Sequence, residues 1–256
     1  MSDDRTNSRR RFLRNSLLFA SGIALGACDD SASRSQTVKD ILGLAEPLNQ
    51  NVHRVLAGRR GLAREYLPRD LSSNFRANGS TNPPDADYRA MVANDFADWK
   101  LTVDGMVLTP QELSLADLRA IPSRTQITRH DCVEGWSCIG KWKGARLSVV
   151  LDRARVGFGA KYVVFHCADT YGTSKYYESI DLVDAYHEQS ILAYEMNDAP
   201  LTVPHGAPVR VRLERMLGYK QAKYIMRIEL TDTLSQFGLG KGGYWEDRGY
   251  EWYGGI

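Results

Sequence analysis

The segment from Thr128 to Gly144 reads T-R-H-D-C-V-E-G-W-S-C-I-G-K-W-K-G, and its cysteine, Cys132, follows a β-rich run and opens a glycine-containing loop. A loop that leaves a strand is where a rigid scaffold usually presents functional groups. Basic residues outnumber acidic ones around Cys132, and positive neighbours favour the thiolate, the form that attacks or binds metal. The alternative is a buried structural cysteine, because Cys packs like a small hydrophobe. These residues alone do not decide between a reactive and a structural cysteine.

A second motif lies downstream, where residues 205–212 read H-G-A-P-V-R-V-R. The Gly and Pro predict a turn, and the alternation that follows predicts a strand with Arg210 and Arg212 on one face. The planar fork of arginine binds phosphate through two hydrogen bonds, so the pair is a candidate anion site. The alternative is an edge strand whose arginines are solvated.

The central segment carries a family resemblance. C-V-E-G-W-S, followed by W-K-G and L-S-V-V-L-D, resembles the cofactor-cysteine region of sulfite-oxidase-type molybdopterin enzymes, closest to the branch containing the protein-methionine-sulfoxide reductase catalytic subunit. The resemblance covers roughly residues 72–235. It implies a molybdopterin cofactor, an α+β domain of mixed sheets and short helices, and Cys132 as the catalytic ligand to the metal, molybdenum. Sulfite oxidases proper usually carry C-A-G-N-R-R here, and this chain does not.

The resemblance extends to four other segments. The loop S-S-N-F-R-A-N-G at 72–79, the strand end at 167–169, the H-G-A-P-V-R motif and G-Y-K-Q-A-K at 218–223 resemble segments that contact the pterin or its phosphate. The residues that the resemblance implies as cofactor-binding are Ser73, Asn74, Arg76, Ala77, Cys167, Asp169, His205, Arg210, Gln221, Ala222 and Lys223. His205 agrees with sulfite oxidases, whereas the reductase branch has Asn there, so this chain mixes two patterns.

Composition bounds the class of protein. The 256 residues are 43% hydrophobic and 25% charged, which fits an ordinary globular protein with one large domain or two small ones. The formal charge is +2, but the first 27 residues carry a net +3, so the remainder is close to −1. A nucleic-acid-binding protein normally shows a concentrated basic face, and none is indicated here.

The chain has four cysteines, Cys28, Cys132, Cys138 and Cys167. No pair has the C-x-x-C spacing of zinc or redox sites, and there is no C-x-x-C-H haem motif. Cys138 and Cys167 could form a disulfide, but the sequence does not establish the distance between them.

The N-terminus predicts a targeting segment. Residues 8–14, S-R-R-R-F-L-R, match the twin-arginine export pattern, and the apolar run at 17–27 is too short to span a bilayer. L-G-A-C at 25–28 matches a lipoprotein processing site, with Cys28 as the site of lipidation. The alternative is a basic, apolar first helix of a cytoplasmic protein. The twin-arginine route carries folded proteins, which suits a cofactor inserted before export.

The predicted organisation is therefore a signal at 1–27, a tether with an N-terminal helical segment at 28–71, and a molybdopterin-binding catalytic domain at 72–256. The predicted location is the periplasm or the outer face of the cytoplasmic membrane, reached by the twin-arginine route, with a lipid anchor as the attachment to the membrane.

Periodicity and capping patterns predict individual elements. The helices are a segment at 38–57 interrupted near Pro47, 115–120 capped by Ser114 with Asp117, 148–154 capped by Ser148, and 182–187; the strands are 99–103, 161–167, 191–196 and 224–230. The tail at 237–256 is too rich in glycine for a helix. We expect it to fold over the site as a loop, or to form an aromatic patch that faces a membrane or a partner.

The resemblance implies oxygen-atom transfer on a small molecule or protein side chain. Sulfoxide reduction is favoured over the alternative, a sulfite or related-anion dehydrogenase, because this chain lacks the arginines of C-A-G-N-R-R beside Cys132. One cofactor cannot supply internal electron transfer, so an external partner is implied, a membrane haem or quinol-linked protein or a cytochrome. A hypothesis of a different functional class is a lipid-anchored, non-catalytic binding protein with the same fold. Metal analysis of protein purified from the native host would distinguish this binding protein from an enzyme.

Export should require the arginine pair. Lys keeps the charge of Arg but not its planar fork, so the double change Arg9→Lys and Arg10→Lys should leave folded protein in the cytoplasm. Cell fractionation checks this, and normal export of the double variant would contradict the signal assignment.

Overall fold

The computed structural model describes residues 35–256 apart from Ala57 and Arg59. The predicted signal and Cys28 lie outside the described residues. Contacts divide the chain into two compact units, one ending at Asn49 and one comprising Gln50–Ile256. The first helices are α1 (Gln36–Gly43) and α2 (Ala45–Leu56). They confirm an interrupted helical segment, and Pro47 lies in the first turn of α2, where a missing N–H costs nothing.

The second unit continues with short helices and strands. In chain order they are α3 (Ala86–Ala93), β1 (Lys100–Gly105), β2 (Gln111–Ser114), α4 (Leu115–Ala120), β3 (Ser123–Asp131), β4 (Ser137–Arg146), α5 (Leu147–Ala154), β5 (Tyr162–Tyr171), β6 (Ser174–Asp181), α6 (Leu182–Ala185), β7 (Ile191–Met196), β8 (Ala199–Pro200), β9 (Arg210–Arg212) and β10 (Ile225–Thr231). In the described residues no helix is both long and apolar enough to cross a membrane.

Two sheets form the domain. The first has the order β2-β1-β10-β5-β6, with β1 parallel to β10 and the other pairs antiparallel. The second has the order β3-β4-β7-β8, with β9 also paired to β7. One apolar core draws on strands of both sheets, including Leu101, Phe165, Leu192, Val211 and Ile228. A mixed sheet, an antiparallel sheet and short helices confirm the α+β class.

The first residues of α4 and α5 can be compared with the predicted helix caps. Ser114 and Asp117 form a reciprocal capping box at α4, as predicted. The prediction that Ser148 caps α5 is wrong, because Arg146 occupies the cap position without a side-chain hydrogen bond and Ser148 lies inside the helix. Leu147 is fully buried, and its N–H donates to the Ser190 carbonyl. Packing against the core therefore fixes the start of α5. The helix predicted at 182–187 ends earlier, at Ala185.

Strand β5 runs past its predicted end at Cys167 and contains an irregularity between His166 and Thr170. There the Ala168 N–H donates to the Tyr224 carbonyl, outside the regular ladder. A bulge changes the direction in which nearby side chains point. Asp169 lies within this bulge of β5. The tail contains only a short 3₁₀ turn, Glu246–Arg248, which confirms that it is not an α-helix.

Candidate active site

Cys132 lies at the tip of the β3–β4 hairpin. Asp131 pairs with Ser137 at the open end of the ladder. The turn closes through the Cys132 N–H, 3.0 Å from the Trp136 carbonyl, and the Gly135 N–H, 3.0 Å from the Cys132 carbonyl. Gly135 has φ +84°, a conformation that favours glycine. The hairpin therefore presents the cysteine from a fixed loop, as the sequence predicted.

Cys132 lines a cavity of about 120 Å³ to which five remote segments contribute. They are the loop at Asn78 and Gly79, the end of β5 with its bulge, Tyr176 on β6, the segment from Gly218 to Lys223, and the C-terminal tail. The predicted site residues that line this cavity are Cys132, Asp169, Gln221, Ala222 and Lys223.

The electrostatic setting of Cys132 differs from the expectation. Burial raises the pKa of its thiol, the Glu134 carboxylate raises it further, and Arg76 opposes the shift. The predicted lowering of this pKa is wrong because burial of the thiol outweighs the nearby positive charge. Basic neighbours along the chain also have carboxylate partners, in the pairs Arg129–Asp131, Lys141–Asp198 and Lys143–Glu195. Cys132 is therefore protonated when free, and a bound metal must displace that proton.

Arg210 and Arg212 project to one face of β9, as predicted, and both guanidinium groups lie over the buried Trp142 ring, 5.1 and 4.4 Å from its centroid. Both are buried, which excludes the solvated-edge alternative. Arg212 has a counter-charge, since it donates to Glu214 at 3.0 and 2.6 Å and to His130 Nδ1 at 3.0 Å.

Arg210 has no carboxylate partner among the residues that the structure describes. Its two terminal nitrogens donate to the backbone carbonyls of His205 and Gln221, at 3.1 and 3.3 Å, and its Nε has no hydrogen bond. Burial and the neighbouring Arg212 lower the pKa of Arg210. A buried cation without a counter-charge is costly, so this position is built to receive an anion.

Lys223 and Asp169 share the cavity with Cys132. Lys223 Nζ donates to the backbone carbonyls of Asn78, Ser80 and Pro204. Burial and the positive charge of Arg210 lower the Lys223 pKa to about 7. Burial raises the Asp169 pKa to about 7, and one of its oxygens, Oδ1, has no hydrogen-bond partner. Near neutral pH, Asp169 can therefore either hold or release a proton.

His205 fastens the 72–79 loop to this site. Its Nε2 lies 3.0 Å from the Phe75 carbonyl, and its Nδ1 lies 2.8 Å from the Thr202 hydroxyl. Phe75 packs edge-on against Trp142, with ring centroids 5.2 Å apart. Both ring nitrogens of His205 are thus occupied within the protein, and direct contact between His205 and a cofactor stays a prediction.

The other predicted residues are not brought into the Cys132 cavity. Ser73, Asn74 and Arg76 are exposed, and Arg76 lies over the Trp136 ring and 4.0 Å from Glu134. Ala77, beside them, is half-buried and also does not line the cavity. Cys167 instead lines a larger cavity of about 860 Å³. Cys132, Cys138 and Cys167 are free thiols, so the Cys138–Cys167 disulfide is absent.

Comparison with known proteins identifies this architecture. Residues 89–237 match the family model described as an oxidoreductase molybdopterin binding domain. The chain is 34% identical over 248 residues to YedZ1 of Azospira oryzae, named as a protein-methionine-sulfoxide reductase subunit, covering 97% of this chain and 88% of that protein. The chain belongs to the molybdopterin-binding oxidoreductase family. Its cofactor is molybdopterin, and it is an enzyme of that class.

Two more relatives are matched over shorter lengths. MsrP of Ralstonia nicotianae, named as a protein-methionine-sulfoxide reductase catalytic subunit, is 33% identical over 145 residues, or 52% of this chain and 44% of that protein. The mitochondrial sulfite oxidase of Drosophila melanogaster is 33% identical over 176 residues, or 64% of this chain and 30% of that protein. The family thus spans the two activities that the sequence left as alternatives.

The residues present fit a molybdopterin. The unpartnered Arg210 Nε suits its phosphate, the nearby Lys223 ammonium adds positive charge although its three N–H groups are bonded to carbonyls, and the Cys132 thiol suits a soft metal ligand. Gly206 and Gly218 allow the chain to pack closely here, since a Cβ would come within 2.9 Å of Lys223 and 2.7 Å of His130. In the described part of the chain no three His, Cys, Asp or Glu side chains cluster to hold a metal by themselves.

Sequence reasoning missed most of the cavity wall. Half of the unpredicted lining residues are aromatic, namely Tyr171, Tyr176, Tyr219, Trp245 and Tyr250, and the others are Asn78, Gly79, Val133, Glu134 and Gly218. The spacing of these residues shows no motif. The only signal was the aromatic, glycine-rich composition of the tail.

Arg210 should separate cofactor binding from stability. In Arg210→Met, loss of a charge-assisted contact of about 1.5–3 kcal/mol should weaken cofactor retention roughly ten- to a hundredfold. The cofactor-free variant should unfold at or above the wild-type temperature, because an uncompensated buried charge is gone. Molybdenum and pterin content, with thermal denaturation of the cofactor-free protein, check this.

Arg212→Met is the matched control, since it leaves Glu214 buried without its partner and should lower the unfolding temperature. Full cofactor occupancy in Arg210→Met would remove this residue from the site.

Proposed function

We propose that the enzyme reduces sulfoxides by oxygen-atom transfer, with methionine-sulfoxide-type compounds or protein side chains as substrates. The charge of the Cys132 cavity carries this proposal. Its charged lining groups in the described residues are Glu134, Asp169 and Lys223. A sulfoxide is a neutral dipole, whereas sulfite is an anion at neutral pH, as a mixture of the monoanion and the dianion.

The Glu134 carboxylate, and Asp169 whenever it is ionised, make this cavity a poor receptor for an anion, because like charges in a partly buried site repel. The one cation, Lys223, is already bonded to three carbonyls. Arg76 lies 4.0 Å from the Glu134 carboxylate and its side chain is 63% exposed, so this carboxylate and solvent both weaken its attraction for an anion in the cavity.

The names of the relatives support the same direction. The protein matched over nearly the whole chain is named as a methionine-sulfoxide reductase subunit, and so is a shorter match. The alternative, sulfite oxidation, is favoured by the match to a mitochondrial sulfite oxidase. It would need cationic side chains beside Cys132 that this cavity does not present.

Each residue then has a role in the proposed reaction. Cys132 supplies a soft thiolate to the metal, and Arg210 with Lys223 neutralises the phosphate. Bound molybdopterin would supply the two-electron redox centre that accepts the oxygen atom. Reduction of a sulfoxide to a thioether and water consumes two electrons and two protons. Asp169, with its pKa near 7 and its place in the same cavity, is positioned to deliver a proton.

The proposal includes a location and a partner. The twin-arginine and lipoprotein motifs at the N-terminus support export and attachment to the outer face of the cytoplasmic membrane through Cys28. Electrons would come from a membrane-linked haem or quinol-dependent protein, because the family domain holds one redox cofactor. Periplasmic fractionation and mass spectrometry of the mature N-terminus would test the location.

Cys132→Ser tests the assignment. Serine is close in volume but replaces a soft thiolate with a hard, poorly ionised hydroxyl, so the variant should fold and keep much of its pterin. Sulfoxide turnover, measured with an artificial electron donor, should fall by more than roughly 100-fold. Losing a residue that only hydrogen-bonds to a metal ligand already costs roughly 10–100-fold, and Cys132 is the ligand itself.

Cys138→Ser is the matched control, since the Cys138 thiol lies 3.8 Å from the Asn74 carbonyl and does not line the cavity. It should keep most activity. Near wild-type turnover in Cys132→Ser would refute the role of Cys132. Turnover of sulfite but of no sulfoxide by the wild type would reverse the proposed direction.

A further inference from the structure

The C-terminal tail is fastened beside the Cys132 cavity at both of its ends. The Tyr244 N–H donates to the Tyr177 carbonyl at 3.0 Å, and the Leu217 N–H donates to the Gly254 carbonyl at 2.8 Å. Between them, the Tyr219 hydroxyl donates to the Glu251 carbonyl at 2.7 Å. The tail is therefore bonded to the segment that contributes Gly218 to Lys223 to the site.

A buried ionic triad holds the middle of the tail. Lys220 Nζ lies 2.5 Å from Glu178 and 2.6 Å from Glu246, and all three side chains are essentially inaccessible. Burial raises the pKa of Glu178 well above its ordinary value, while the charge of Lys220 opposes that shift. Losing any member would leave a buried group uncompensated, which makes this a strong anchor.

The anchor sets the place of two aromatic rings. Trp245 immediately precedes Glu246, and its ring stacks on Tyr250, with centroids 5.4 Å apart and planes inclined by 28°. The Tyr250 N–H also donates to the Trp245 carbonyl, at 3.1 Å. Tyr219 meets Tyr250 edge-on at 5.2 Å, and Tyr171 meets Trp245 at 6.0 Å. Both Trp245 and Tyr250 line the cavity that contains Cys132.

We propose that Trp245 and Tyr250 form an aromatic wall that selects the substrate, a role that rests on the proposed function. An alkyl group next to the sulfur of a sulfoxide can pack on these rings, whereas an oxyanion without such a group gains nothing from them. The substrate class is therefore sulfoxides of thioethers with an apolar arm, such as the methionine sulfoxide side chain. Tyr250 is 40% exposed, so the wall reaches the surface, where a side chain on a larger molecule can approach it.

The test compares substrates of increasing apolar size. Wild type, Tyr250→Ala, Trp245→Leu and the conservative Tyr250→Phe are assayed with dimethyl sulfoxide, N-acetyl-methionine sulfoxide and methyl phenyl sulfoxide. Because an aromatic contact adds a modest free energy, KM for the two larger substrates should rise roughly three- to tenfold in Tyr250→Ala and Trp245→Leu. The kcat values and KM for dimethyl sulfoxide should change little, and Tyr250→Phe should behave as wild type.

A matched control lies in the same tail. Leu239 is 76% exposed and lines the other cavity, so Leu239→Ala should leave all three KM values unchanged. Thermal denaturation identifies any variant whose loss comes from unfolding of the tail. Equal changes in KM across all three substrates, or no change in any, would refute the role of Trp245 and Tyr250 in substrate selection.

Binding separates this inference from the proposed function. Isothermal titration calorimetry of the cofactor-loaded enzyme with N-acetyl-methionine, the thioether product, measures the affinity that the aromatic wall contributes, without requiring turnover. Weaker binding in Tyr250→Ala than in wild type supports the wall even if the wild type reduces no sulfoxide, an outcome that would refute the proposed reaction alone. Equal binding by the two proteins, or no binding by either, would overturn the wall.

Discussion

The site depends on one buried charge that has no counter-charge within the described part of the protein. Arg210 is fully buried beside Arg212 on a short strand, and only Arg212 is matched by a carboxylate, that of Glu214. Trp142 stabilises both guanidinium groups through its ring face, but a ring cannot neutralise a charge. The fold therefore leaves a positive potential at Arg210 that an anionic cofactor completes, and the carbonyl-bound Lys223 lies within its influence.

The remaining elements place the candidate functional side chains around Arg210. The β3–β4 hairpin holds Cys132, the β5 bulge turns Asp169 inward, and His205 fastens the 72–79 loop through the Phe75 carbonyl. These segments are far apart in the chain and meet because strands of both sheets share one core. In our proposal, cofactor binding and substrate recognition use different residues around the Cys132 cavity, the former cationic and the latter aromatic.

Local patterns predicted what local physics controls. The hairpin at Cys132, the capping box at Ser114 and the shared face of Arg210 and Arg212 follow from turn chemistry, capping and the two-residue period of a strand. The pKa of Cys132 could not be predicted, because it is raised by burial, which depends on tertiary packing, and because Lys141 and Lys143 pair with the remote carboxylates of Asp198 and Glu195. The position of Asp169 in a bulge and the place of Trp245 and Tyr250 in the wall are tertiary facts, since no spacing in the sequence links them to Cys132.

Anomalous diffraction at the molybdenum edge, from crystals of the cofactor-loaded protein, tests the central claim most directly. We expect one metal peak within bonding distance of the Cys132 sulfur, with phosphate density against Arg210 and Lys223. A metal peak in the larger cavity beside Cys167, or phosphate density remote from Arg210, would contradict the account.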